Sequence, residues 1–360
     1  MQLLKKPTLK EKYHAIGKLF RNYYFRAQLV DRGGATESPS NDNPVIFASN
    51  HSGMNFPWDN IMLYQCLKEH YGEKFKLEAI ATPALFGKRM LNPFAVSSFW
   101  TLYCKDATFE NFERLADAGQ NILYNPEGLD GIGKGFNYKY QLQRFSSSFV
   151  RVGLKYNRDI VPVYVINGEY LNPFAYRSKI LNRIGQKLGI PYIPVGPLTP
   201  LYLLFPFLMY ISLPARLRYV TGARINLSHL VEKPLYEMTT QDFRDVTDRL
   251  QKMMQTELDA NVAEFGQEKF GWREFFRSFR KLGLQSTALI PLTWPFIFHR
   301  VDADASAWRK VLGAAVGLSM VVPLVGWPFF LMYSLLGRQP DRPFMPVRRL
   351  GFQPAVQKAA

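Results

Sequence analysis

The sequence predicts an α/β protein with a mostly parallel central sheet flanked by helices, followed by a C-terminal apolar helical hairpin. Three observations predict it. Short apolar runs bounded by turn residues alternate with stretches of helical periodicity through the middle of the chain. That alternation is the pattern of strands joined by crossover helices. Two long uncharged runs then close the sequence.

The elements follow in order. The stretch from about 9 to 30, LKEKYHAIGKLFRNYYFRAQLV, spaces Tyr13, Ile16, Leu19, Phe20, Tyr23 and Tyr24 as a helix does, with Lys and Arg between them. Such a basic amphipathic helix packs on its own domain, lies on anionic lipid, or does both. DRGGATESPSNDNP is a polar linker. PVIFAS is a buried strand, NIMLYQCLKEHYG a helix stopped by Gly72, and KLEAIAT a second strand. FENFERLADAG is a helix ending at Gly119. QNILYNPEG is a strand running into a turn, QRFSSSFVRVGLKYN a helix, and DIVPVYVING another buried strand. ARLRYVTGARI holds a later strand. Thr239 and Asp242 then make a capping-box start. In the helix that follows, Phe243, Val246, Leu250, Met253, Met254 and Leu258 are expected in the core.

Composition changes after about residue 265. WREFFRSFRK mixes aromatics with basic residues, Leu282 to Phe298 carries no charge, and Val311 to Gly337 is 27 residues without one. The second run has the length to span a bilayer; the first is at the short limit and contains Pro291 and Pro295. Both outer flanks are basic, with Arg273, Arg277, Arg280 and Lys281 before and Arg338, Arg342, Arg348 and Arg349 after, which places both on the cytoplasmic side. The expected division is residues 1–44 for the N-terminal helix and linker, 45–264 for a catalytic domain, and 265–360 for a membrane-associated extension. LYLLFPFLMYI, from Leu201, is too short to span and is either core or a lipid-facing patch.

The 360 residues are 47% hydrophobic and 15% aromatic, with a formal net charge of +16. That balance calls for an anionic partner. The aromatics and uncharged runs favour a lipid membrane, and no nucleic-acid-binding module is present. Cys66 and Cys104 are too few and too far apart for a disulfide framework or a metal site. The first twenty residues hold no apolar core of signal-peptide length, so the catalytic domain is expected on the cytoplasmic face. There is no Walker A loop and no G-x-G-x-x-G after a strand.

The stretch FASNHSGMNFPWDNIML carries the chemistry. His51 follows a buried strand at a strand-to-helix turn, the edge where open α/β sheets bind ligands. Asp59, at the start of the next helix, is placed either to orient the imidazole as a base or to cap its helix. LYNPEG would bring Glu127 and Gly128 to the same edge.

SNHSGMNFPWD, then LYNPEG about 70 residues later and then DIVPVYV, resembles the glycerolipid acyltransferase superfamily, which includes the lysophosphatidic acid acyltransferases. The resemblance covers about residues 10 to 262. It implies that His51 is the general base toward an acceptor hydroxyl, which attacks the thioester of acyl-CoA or acyl-carrier protein, and that Asp59 orients His51. It implies that Pro126, Glu127 and Gly128 help bind the acceptor. It also places Lys105 and Arg144 at basic positions suited to a phosphate. No metal or organic cofactor is implied.

Two departures matter. Seven residues separate His51 from Asp59 where the family usually has four, so a longer loop must restore the contact, as in a subgroup with H-S-G and P-W-D blocks. Leu129-Asp130-Gly131 replaces the T-R-S of glycerophosphate-using members, removing a bidentate phosphate ligand. A neutral lipid hydroxyl and a phosphate meeting Lys105, Lys134 or Arg144 both stay open as acceptors. The reading is an O-acyltransferase acting on a glycerolipid or lysophospholipid. The alternative is a non-catalytic lipid-binding or scaffolding membrane protein of the same fold. A lipid hydrolase lacks its G-x-S-x-G elbow.

Overall fold

The structure is a computed structural model that describes residues 8–33, 38–82, 103–187, 192–299 and 306–328. The chain enters through α1 (Leu9–Leu19), started by a capping box between Thr8 and Glu11, and continues in a π-helical turn over Phe20–Tyr24. Then come β1 (Gln28–Asp31), β2 (Ile46–Ser49), α2 (Trp58–Tyr71), β3 (Leu77–Ala81) and β4 (Cys104–Asp106). α3 (Phe109–Asp117), β5 (Asn121–Tyr124), α4 (Gly128–Ile132), α5 (Ser148–Lys155) and β6 (Ile160–Ile166) follow. α6 (Lys179–Lys187), α7 (Thr199–Leu204), β7 (Arg218–Thr221) and α8 (Thr240–Phe265) complete the α/β part. Beyond it lie α9 (Trp272–Leu282), α10 (Trp294–Phe298) and α11 (Ala307–Val321).

The seven strands form one sheet in the order β1-β7-β6-β2-β5-β3-β4, parallel throughout except where β7 runs against β6. Successive side chains of a strand point to opposite faces, and here both faces are covered. Ile46 and Ala48 of β2 join α3, α5 and α8 on one side. Phe47 joins α1 and α2 on the other, with the residues after 270. The long α8 lays Phe243, Val246, Leu250, Met254 and Leu258 along the sheet. Each fully buried side chain of this kind is worth about 2 kcal/mol.

β2 is central, between β6 and β5. Its connection runs to α2 on one face, while that of β5 runs to α5 on the other. Neighbouring strands whose connections leave on opposite faces open a crevice at their carboxyl ends. That crevice is where the His51 turn lies.

Two expectations are corrected and two open ones are resolved in part. The helix read over 9 to 30 stops at the π-turn; Arg26 takes a positive φ of 44°, and residues 28–31 turn into an edge strand paired with β7. Met253 is 41% exposed, because it lies one residue off the stripe that buries Met254. The LYLLFPFLMYI stretch divides, with Tyr202, Phe207 and Tyr210 buried and Leu201, Leu203 and Leu204 exposed. α1 packs on its own domain: its Leu9 and Tyr13, with Phe20 of the π-turn, are buried in the core shared with α2.

The apolar hairpin is not found among the described residues. The run from 282 to 298 breaks into 3-10 turns over Gly283–Leu289 and Pro291–Thr293 and the short α10. Pro291 and Pro295 lack the amide protons a continuous helix needs. The second run begins within α11, which ends at Val321; residues 329–337 and Arg338, Arg342, Arg348 and Arg349 lie outside the described residues. No described helix is long and apolar enough to cross a membrane. The residues after 270 instead insert Phe275, Trp294, Ile297 and Phe298 into the α1–α2 core. The Trp294 ring stands 5.0 Å from Trp58 and 5.2 Å from Phe20.

Candidate active site

The turn after β2 is fastened to both neighbouring strands. Asn50 Oδ1 accepts from the Val165 amide at 2.7 Å, and its Nδ2 donates to the Val165 carbonyl at 3.3 Å, tying the turn to β6. On the other side Asn125 Nδ2 donates to the Ser49 carbonyl at 2.9 Å. His51 N–H donates to Glu127 Oε1 at 2.7 Å, and Gln143 N–H donates to Oε2 of the same carboxylate at 2.6 Å. Glu127, buried at the end of β5, thus holds the His51 backbone with one oxygen and the 143 region with the other.

The long loop from His51 to Asp59 is anchored along its length. Gly53 takes φ +99°, where a Cβ would lie 2.1 Å from the Lys134 carbonyl oxygen. Met54 N–H donates to that same carbonyl at 3.1 Å. Asn172 Nδ2 donates to Met54 O at 2.8 Å, and Tyr192 Oη–H to Asn55 O at 2.9 Å. The chain returns so that Asp59 Oδ2 lies 3.5 Å from His51 Nδ1. Asn60 Nδ2 is 3.3 Å from the same ring nitrogen. Among the described residues Nε2 has no hydrogen-bond partner.

Asp59 is buried, yet well solvated by donors. The Ser52 amide and hydroxyl each donate to Oδ2 at 3.0 Å, and the Asn60 amide donates to Oδ1 at 2.8 Å. Burial pushes this carboxyl up, but the His51 ring and the Ser52 and Asn60 donors more than offset it, leaving it below the ordinary carboxylate value. Its place in the first turn of α2 adds the favourable helix dipole. An ionised carboxylate beside Nδ1 favours the tautomer protonated there, which leaves Nε2 unprotonated; the Asn60 amide then turns so that its side-chain oxygen, otherwise buried without a partner, accepts from Nδ1–H.

The other expected residues divide. Pro126 is buried, and its carbonyl accepts from Ser146 at 2.8 Å. Gly128 opens α4 with φ +54°. Arg144 is exposed, next to Gln143, whose amide binds Glu127. Lys105 lies on β4, three strands from β2, about 14 Å across the sheet at the usual strand spacing. Lys134 is fully buried, so it does not offer its charge at the surface. The Asp130 carboxylate accepts from Arg177 Nη2 at 3.0 Å, and Arg177 Nη1 donates to Gln143 Oε1 at 2.6 Å. A guanidinium therefore does stand at the P-E-G turn, supplied from far along the chain.

Sequence reasoning missed Asn50, Ser52 and Asn60, although all three lie within or beside the SNHSGMNFPWD block. It also missed Gly131, where a Cβ would meet Glu127 Cβ at 2.5 Å and His51 Cβ and Cδ2 at 3.1 Å. The glycine run in GLDGIGKG was the available signal. Among the described residues no cluster of three or more His, Cys, Asp or Glu is arranged to hold a metal ion.

No family model matches the chain. It is similar to an uncharacterized protein of Mycobacterium leprae, 30% identical over 190 residues, which are 52% of this chain and 49% of that protein. Uncharacterized proteins of Mycobacterium bovis and Mycobacterium tuberculosis are 28% identical over 188 residues, 52% of this chain and 50% of theirs. The chain spans about half the length of the curated relatives it matches. Among solved structures, the crystal structure of the 1-acyl-sn-glycerophosphate acyltransferase from Thermotoga maritima matches with a TM-score of 0.40 and 13% identity, covering 70% of this chain and 80% of that one.

Proposed function

We propose that the chain is an O-acyltransferase that moves a long acyl group from the thioester of acyl-CoA or acyl-carrier protein to the hydroxyl of a glycerolipid or lysophospholipid. The observation that carries this reading is the His51–Asp59 pair, 3.5 Å apart at the carboxyl edge of the central strand, with the His51 backbone held by Glu127. In the reaction His51 Nε2 takes the proton from the acceptor hydroxyl as its oxygen attacks the thioester carbonyl. The tetrahedral intermediate collapses, the carbon–sulfur bond breaks, and the imidazolium proton passes to the leaving thiolate. Asp59 stays ionised and stabilises the imidazolium. No cofactor enters the scheme.

Pro126, Glu127 and Gly128 shape the acceptor side in this reading, Glu127 by gripping the His51 and Gln143 amides. Arg144, exposed beside that grip, meets an acceptor phosphate; Lys105, three strands away, is the alternative partner for it. The chain works at the cytoplasmic face of a lipid membrane. Supporting this, exposed Leu203 and Leu204 lie beside exposed Leu324, whose amide donates to the Leu204 carbonyl at 2.9 Å. The formal charge of +16 suits an anionic lipid surface.

The test is thiol release from long-chain acyl-CoA and acyl-carrier protein, with purified protein in detergent, against lysophospholipids and neutral glycerolipids. Acceptor-dependent release by wild type and its loss in His51→Ala is the expected result. No release with any pair from folded wild type overturns the reading in favour of a non-catalytic lipid-binding module.

A further inference from the structure

A buried charge cluster lies directly behind the His51 turn. The Lys134 side chain is fully buried. Its Nζ is 3.4 Å from Glu169 Oε1 and 3.9 Å from Glu127 Oε2, and both carboxylates are buried too. Glu127 comes from the end of β5 and Glu169 from the turn after β6, so one ammonium faces two acids from strands that flank β2. The Lys134 backbone serves the same turn, because its carbonyl accepts from Met54 and packs against Gly53. A buried ammonium without close hydrogen bonds is costly. Exposed lysines are plentiful in this chain, and solubility does not call for this one.

We propose that Lys134 is a positioning residue for His51: its ammonium balances the Glu127 carboxylate that grips the His51 amide, and its carbonyl fixes the Gly53–Met54 turn. The inference rests on the transferase reading for its consequence in turnover, but the geometry it concerns is that of the free protein. Two carboxylates and one ammonium leave the cluster with a single net negative charge when all three are ionised. Removing the ammonium leaves two unbalanced acids, and Glu127 is then repelled by Glu169 across the space the lysine filled. Burial already pushes the Glu169 carboxyl up, offset only in part by Lys134 and the Tyr140 amide. Among the described residues, the charged or titratable groups around the turn include Asp59 from α2, Glu127 from the β5 turn, Lys134 after α4 and Glu169 after β6, with Tyr140 on Glu169 and the Asp130–Arg177 pair at the P-E-G turn. The Tyr219 hydroxyl, donating to the Asp59 carbonyl, and Tyr192 are also there.

The experiment compares Lys134→Met, which keeps the volume and drops the charge, with Lys134→Met combined with Glu169→Gln, which restores the net charge of the cluster. The first readout is the titration of the His51 imidazole by NMR in histidine-labelled protein, assigned with His51→Gln and recorded without substrate. The second is kcat and KM for thiol release. Lys134→Met is expected to displace the His51 titration curve upward from that of wild type. It should also lower kcat roughly tenfold or more while KM for the thioester changes less. The double variant is expected to return the His51 curve to that of wild type. A folded Lys134→Met protein with wild-type titration and kcat overturns the proposal. If Lys134→Met does not fold, the double variant decides, and a His51 curve still displaced from wild type overturns it. Absence of turnover in wild type would sink the transferase reading alone, since the titration needs no activity.

Discussion

Ser52 gives Asp59 Oδ2 two hydrogen bonds, one from its amide and one from its hydroxyl, each 3.0 Å long. The oxygen that faces His51 is therefore fixed from the histidine's own side of the loop. Seven intervening residues separate the pair in sequence, and this contact closes the longer loop. Ser52→Ala removes one of the two bonds and should cost about 1 kcal/mol of stability. It should reduce turnover far less than Asp59→Asn, which is expected to lower kcat by roughly a hundredfold to ten-thousandfold. Steady-state kinetics on both variants, with urea denaturation for stability, checks the ranking.

Gly131 should tolerate no side chain. Its Cβ would lie 2.5 Å from Glu127 Cβ and 3.1 Å from the His51 ring carbon Cδ2. Gly131→Ala is expected to destabilise by about 1–3 kcal/mol and to displace the imidazole. A kcat reduced beyond what the lost folded fraction explains is the predicted signature. Unchanged kcat in a folded variant would show that the ring has room to spare.

Arg144→Ala tests the acceptor. If a phosphate meets this guanidinium, losing a charged hydrogen bond worth about 1.5–3 kcal/mol raises KM for a phosphate-bearing acceptor roughly ten- to a hundredfold. KM for the thioester and for a neutral acceptor should not move. Equal effects on all three would remove Arg144 from the acceptor site.

His299 predicts an acid sensitivity. It is buried, its Nε2 sits 3.0 Å from the Tyr210 hydroxyl, and burial pushes its pKa down to about 3. The unfolded chain takes up a proton near the ordinary histidine value while the folded state resists it. Stability is therefore full above about pH 6.5 and falls toward pH 3 by up to about 1.4 kcal/mol per pH unit. Asp59 acts in the same direction lower down: its depressed pKa stabilises the fold above the ordinary carboxylate range and is lost as pH falls through the depressed value. Denaturation as a function of pH should show a shallower slope between about pH 6 and 4 in His299→Gln than in wild type. Coincident slopes would refute the role.

The central part of the fold was legible because its signals are local. PVIFAS, a turn and a helix stopped by Gly72 are consecutive, and Thr239 with Asp242 marks the start of α8 within four residues. His51, Asp59 and Glu127 were legible as neighbours because strand ends of one parallel sheet meet at one edge. What stayed hidden depends on distant partners. β1 is four residues whose partner lies on β7, and helical periodicity upstream masked it. Lys134 was a candidate phosphate partner until the fold buried it against Glu169, and Arg177, far along the chain, gave no signal of its pairing with Asp130. Pro291 and Pro295 were visible, but not that the run around them would fill the core beside Trp58.

The pairing of β1 with β7, Gln28 opposite Arg218, sets an order on biosynthesis. Residue 28 leaves the ribosome about ten to forty seconds before its partner at 5–20 residues per second. The aromatic side chains of Phe20 and Tyr24 wait longer still, for Trp294. Through that interval the N-terminal segment exposes both an unpaired strand edge and a cluster of rings. Expression of this chain should therefore depend on chaperones or on an early lipid surface to shelter its first thirty residues, and fragments ending before residue 294 should aggregate.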